Sequence, residues 1–171
     1  PNQAVLSASG AVALRMGPAH SAKLSLAGCG EAEIEAVAGE ADLSVAGAST
    51  VRLYQAGSAK IAIAGAGDVE VGAVLDGLAV SIAGAGDFSA ARVNGPTNLA
   101  IQGAGDVLIR DGRADVLTVV IAGSGDVVHN GVVSDRLDVT VLGAGDVRVR
   151  RVEGQINRRV LGGGEVIIAE R

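Results

Sequence analysis

Apolar and polar side chains alternate along most of this chain, in short runs that a Gly-x-Gly-Asp turn interrupts again and again. The first Gly of each turn falls at Gly28, Gly47, Gly65, Gly84, Gly103, Gly123, Gly143 and Gly162, at intervals of 18 to 20 residues. A worn copy, ASGAV, stands at residues 8–12. Two positions before that Gly come Leu26, Val45, Ile63, Ile82, Ile101, Ile121, Val141 and Val160. Four before it come Leu24, Leu43, Ile61, Val80, Leu99, Val119 and Val139, until Arg158 breaks the column. Four after it come Val51, Val69, Phe88, Val107, Val127, Val147 and Val166, and six after it mostly Ile, Leu or Val. A period of two with β-branched residues dominant marks strands, and no sustained 3.6-residue period competes with it.

Asp76-Gly77, Asn94-Gly95, Asp111-Gly112 and Asn130-Gly131 form a second punctuation, accompanied by a further apolar column read as Val37, Val74, Val93, Val132 and Val152. A unit therefore reads strand, turn, strand, turn. So small a unit cannot bury its apolar face alone and must stack on its neighbours. The pattern predicts an all-β, single-stranded parallel β-helix, a solenoid of about nine coils of 18–20 residues that takes up residues 1–171 as one domain. With ~4.8 Å between stacked strands, nine coils make a rod on the order of 43 Å long.

Composition narrows the core and the function. Apolar residues make up 49% of the chain, yet its only aromatics are Tyr54 and Phe88, so the interior must be narrow and built from Val, Ile, Leu and Ala. No apolar run approaches the ~20 residues of a membrane helix. A net charge of −5 offers no basic field for nucleic acid. Cys29 is alone and has no disulfide partner within the chain. No basic-and-apolar leader opens the chain at Pro1, which decides nothing about export.

The string of GxGDV turns, each led by an aliphatic residue two positions earlier, resembles the head GIN domain of the autotransporter-adhesin family, a bacterial envelope domain of unknown function. The resemblance runs from about residue 24 to residue 170, including the closing RRVLGGGEV. It implies a right-handed β-helix, a place in the periplasm or on the cell surface, and no established activity. This chain prefers Ala at the middle of the turn and keeps only Ser124 there, so a function built on a serine ladder is not expected.

The repeated acid is the first candidate for chemistry. Asp68, Asp87, Asp106, Asp126 and Asp146 share one register, extended by Glu31 and Glu165 and interrupted by Thr50. Alternation places these acids outside, at the turn edge. Carboxylates ~5 Å apart repel by ~0.8 kcal/mol in water, so something must offset the repulsion. The favoured reading is local: each Asp accepts backbone N–H groups in an Asx-type turn, with Gly supplying the positive φ. The sharper alternative is a calcium-binding ladder, because Ca²⁺ gathers carboxylate oxygens. Calcium is the one cofactor the sequence entertains. A carbohydrate-active enzyme is the weakest reading, since equivalent environments do not separate an acid from a base and no aromatic platform for a sugar is expected.

Other candidates are isolated. His129 takes a strand position beside Asn130-Gly131 and reads as a tolerated, turn-adjacent side chain; His20 has no ligand partners; Cys29 lies in a turn without a cation to activate it. Arg148, Arg150, Arg151, Arg158 and Arg159 crowd the last coils, where residues 140–171 carry six basic and four acidic groups against eight and fifteen before them. They are read as a cap on an exposed strand edge, or as an assembly surface for end-to-end stacking. The expected function is a non-enzymatic surface or periplasmic scaffold, an adhesin-like module binding a surface protein or glycan. Self-association is the alternative.

Overall fold

Each alternating run pairs with the equivalent runs one coil before and one coil after it, so the sequence repeat becomes a physical stack. The computed structural model describes residues 2–171, which contain strands and turns but no helix. The strands are β1 (Gln3–Ser9), β2 (Val12–Met16), β3 (Ser21–Gly28), β4 (Gly30–Gly47), β5 (Thr50–Gly65), β6 (Asp68–Val74), β7 (Leu78–Gly84) and β8 (Phe88–Asn94). They continue as β9 (Thr97–Ile101), β10 (Val107–Ile109), β11 (Gly112–Ile121), β12 (Val127–Val141), β13 (Val147–Val152), β14 (Gln155–Val160) and β15 (Val166–Glu170). All pairings are parallel, and the architecture is a β-solenoid of about nine turns.

Two long stacks make up its sides. One runs β1, β3, the second half of β4, the second half of β5, β7, β9, β11, the second half of β12, then β14. The other runs β2, the first half of β4, the first half of β5, β6, β8, β10, the first half of β12, β13 and β15. The turn glycines stay in register through the first coils, Gly28 with Gly47, Gly47 with Gly65 and Gly65 with Gly84. The worn copy is a true first turn, for the Gly10 amide donates to the Ala27 carbonyl at 2.9 Å.

The inward columns are those read from the alternation, except in the last coil, where Val160 of the column two before the turn Gly is exposed because no further coil covers it. One hydrophobic core runs from Ala22 to Val166, its largest buried side chains being Phe88 and a set of Ile and Leu. The few buried polar groups are mostly satisfied locally. Ser49, which replaces the second Gly of its turn, donates its hydroxyl to the Gly28 carbonyl at 3.0 Å, and Thr97 donates to the Gly95 carbonyl at 3.3 Å.

Two further expectations about the interior need correction. The second-corner column takes Val133, fully buried, in place of Val132, which is half-buried. Here the repeat lengthens to 20 residues, and the extra residue is absorbed as a register shift between His129 and Val132, which moves the inward position by one. His129 is also not turn-adjacent. It sits in register between Ile109 and Val149 with no exposed surface, and neither ring nitrogen has a hydrogen-bond partner.

Candidate functional site

The acid column is the most regular polar feature of the rod, and its geometry departs from the local-turn reading. Each carboxylate reaches along the axis to the next coil. Asp68 Oδ1 accepts the Asp87 backbone N–H at 3.4 Å and Asp87 Oδ1 that of Asp106 at 3.0 Å. The series continues from Asp106 to Asp126 at 2.9 Å, then to Asp146 and finally Glu165 at 2.8 Å each. A turn that leaves the strand ladder strands one amide per coil, and the preceding carboxylate takes it up. These charge-assisted bonds between successive coils offset the repulsion along the column. At Thr50 the Asp68 amide bonds instead to the Ser49 carbonyl at 3.0 Å, and the carboxylate ladder begins at Asp68.

Glycine is required here for a reason beyond the positive φ expected. Gly28, Gly47, Gly65 and Gly84 do have positive φ, from 121° to 147°, whereas Gly103, Gly123, Gly143 and Gly162 do not. What is common to the column is close approach. A Cβ on any of them would point along the axis into the backbone of the preceding coil's turn.

With its Oδ1 already engaged, each Asp has a structural task. No three His, Cys, Asp or Glu side chains converge as a metal-ligand group among the described residues. Asp106→Asn keeps the acceptor and removes one charge from the column, so its Tm should stay within ~2 °C of the parent. Asp106→Ala removes the acceptor and should lower Tm by ~2–4 °C. Thermal melts in calcium and in chelator test this, because a loss confined to the calcium samples would assign the column to metal.

The remaining sequence candidates are scattered. Cys29 and His20 are exposed, on different corners. Arg148, Arg150 and Arg151 lie on β13, where Arg151 faces Glu153 at 3.5 Å, while Arg158 and Arg159 lie on β14 in the other stack. The five arginines therefore do not form one cluster. Arg158 pairs in register with Val139 of the inward column but is itself exposed.

The concentration of chemistry that sequence reading passed over surrounds Tyr54. Its side chain stands on the outer face of β5, 56% exposed, whereas Phe88 is buried. Tyr54 donates its hydroxyl to Glu33 Oε1 at 2.6 Å, and Glu33 is held in turn by Arg15 Nε at 3.2 Å. The hydrogen bond to Glu33, and then that group's charge, raise the phenol pKa above its ordinary value. One coil further on, Arg52 pairs with Glu70 at 3.5 Å. The strand alternation puts Arg15, Glu33, Arg52 and Glu70 in successive coils of a single outward column, so opposite charges stack along the rod. Exposed pairs of this kind contribute little stability, but they fix the side chains that flank the ring.

Tyr54 separates two grooves. One, of about 570 Å³, lies on the N-terminal side between Arg15, Gly17, Glu33, Glu35 and Gln55. The other, of about 230 Å³, runs on over Gly72, Ser89 and Ala91 to Arg110. The signal available in the sequence was the singularity of Tyr54, the one tyrosine in an otherwise aliphatic repeat. The stack that runs through β7, β9 and β11 offers a contrasting depression of about 380 Å³ walled by Ala62, Ser81, Ala100 and Val120, with little polar chemistry.

Such features define a β-solenoid whose chemistry is displayed on its lateral faces. The chain belongs to the family described as "Putative auto-transporter adhesin, head GIN domain", whose model matches residues 73–171. That description implies an envelope or surface location, and no helix among the described residues is long and apolar enough to cross a membrane. No curated protein and no solved structure matches the chain. Tyr54 and its ion pairs precede the matched residues, in coils of the same register.

Proposed function

We propose that this protein is a non-enzymatic binding module of the bacterial periplasm or cell surface, adhesin-like in action, which recognises its partner through the lateral face that carries Tyr54. The observation behind this reading is the immobilised aromatic itself. A ring with its hydroxyl anchored loses little conformational freedom when a partner covers it, and exposed Tyr beside Arg is the composition of interaction hot spots. The family membership supports the adhesin-like role and the envelope location. Against catalysis stands the equivalence of the acid column, whose members are occupied in the same way coil after coil.

Binding of the fluorescently labelled protein to intact cells, followed as a saturable isotherm, tests the reading. Tyr54→Ala should weaken binding by at least ~10-fold. Its Tm should equal the parent's, because Tyr54 packs into no core. Equal binding by parent and variant would remove this face from the function.

Arg158 fits a cap, a charge in the inward register of the last coil that discourages another strand from adding there. End-to-end self-association is the reading this disfavours.

A further inference from the structure

We infer that the groove between Tyr54 and Arg110 is a saccharide site that takes an acidic oligosaccharide, with one sugar ring against the Tyr54 face and a carboxylate or sulfate at Arg110. The inference rests on the binding-module reading and names the ligand class of that face.

Three features of the groove point to a sugar. The first is its wall, a flat aromatic face fixed by the bond from Tyr54 to Glu33, onto which the C–H face of a pyranose packs without having to order the ring. The second is its floor. Tyr54 is followed in the next coils by Gly72 and Ala91, and a Cβ at Gly72 would run into the Tyr54 backbone carbonyl, so coil packing itself keeps the floor bare. The third is the ring of fixed polar groups: Glu70, Ser89 and Arg52 border the groove and present donors and acceptors to hydroxyls at set spacing.

Acidity follows from the ion-pair pattern. Arg15, Arg52 and Arg92 on this side of the rod each have a carboxylate partner. Arg110 makes no ion pair among the described residues, yet it closes the groove opposite Tyr54. A guanidinium so placed offers a bidentate seat for a carboxylate or sulfate. From the coil of Tyr54 to that of Arg110 is three coil steps, ~14 Å at ~4.8 Å each, room for two or three linked rings. An extended peptide fits less well, because β-augmentation needs free backbone groups and those on this face are bonded to neighbouring coils.

The test is an array of acidic oligosaccharides (uronate, sialylated and sulfated) beside neutral ones, read with the full chain and confirmed by titration calorimetry. Acidic sugars should bind and neutral ones bind at least ~10-fold more weakly. Tyr54→Ala should abolish both, Tyr54→Phe should retain the stacking, and Arg110→Gln should erase only the preference for acid. If no sugar binds while Tyr54-dependent cell binding persists, the ligand class is wrong and the binding module stands. If cell binding is absent as well, both readings fall. Equal affinity for acidic and neutral sugars, or an Arg110→Gln variant that keeps the preference, would overturn the assignment to Arg110.

Discussion

Gly123→Ala is expected to be among the most damaging single substitutions in this chain, although it adds one methyl group to a half-buried corner. Gly123 stands in the first-glycine column with no positive φ, so backbone strain is not the cause. A Cβ there would overlap the carbonyl oxygen of Gly103 in the preceding coil. That neighbour is backbone and cannot swing aside. It is pinned on both sides, for the Gly103 carbonyl accepts the Ser124 amide at 2.9 Å and that of Gly84 accepts the Ala104 amide at 2.9 Å. Relief therefore requires two coils to part, with loss of hydrogen bonds and core contact at the corner.

A destabilisation of ~3–5 kcal/mol is expected, on the scale of severe overpacking. For a chain of this size that corresponds to a fall in Tm on the order of 10 °C. The control is Gly163→Ala, in the middle position of the last turn. No atom lies within 4 Å of a Cβ at Gly163, and the equivalent residue in several earlier turns is already Ala. That substitution should stabilise by ~0.4–1 kcal/mol through the unfolded chain. Urea or thermal unfolding of the two variants decides the matter; equal and small effects would mean that the coils are not held at the spacing described. Because the coils pack mainly on their immediate neighbours, hydrogen exchange in Gly123→Ala should rise first in the flanking coils.

His129 carries the second large effect, and it depends on pH. The ring is enclosed between Ile109 and Val149 with both nitrogens unpartnered. Burial pushes its pKa down to about 4 from the usual 6.5. The sign follows from which state binds the proton. Above pH 6.5 the ring is neutral both folded and unfolded, and contributes no pH dependence. Between 6.5 and about 4 the unfolded chain takes up a proton that the folded chain refuses, so stability falls as pH falls. Below that range both states are protonated and the loss levels off, at ~3 kcal/mol for a shift of this size.

His129→Leu places an aliphatic residue in an aliphatic column and removes the unpaired nitrogens. A gain of ~1–3 kcal/mol at pH 7 is expected, and the decline between pH 6.5 and 4 should flatten. Stability measured against pH for both proteins tests this. The carboxylates are common to the two curves, so their difference isolates the ring; parallel curves would mean that His129 finds water or a partner when the chain is in solution.

How far the sequence reveals the fold is clearest in the aliphatic columns. Ile63, Ile82, Ile101 and Ile121 recur at one offset from a glycine, and a side chain that recurs at that offset in an alternating run has one face to bury. The same logic places Asp106 and its equivalents outside. It does not reveal what Asp106 binds. Its partner is the amide of Asp126, 20 residues away and one coil on at 2.9 Å, so an inference confined to local turn chemistry chooses the wrong donor. Val132 and Val133 show a similar limit. Both are apolar and adjacent, and only the place where a 20-residue coil discards its extra residue selects the one that turns inward.

Tyr54 marks the boundary most sharply. The sequence by itself determined a parallel β-solenoid, its period, its inward columns and its glycine corners, because strand alternation and stacking are repeated in every unit and each copy corroborates the others. Which side chains meet across coils was decided only by the tertiary structure. Glu33 reaches Tyr54, Arg15 reaches Glu33, and the bare floor at Gly72 opens toward Arg110. These residues belong to separate units, do not recur in every unit, and come together only because successive coils lie a strand's width apart.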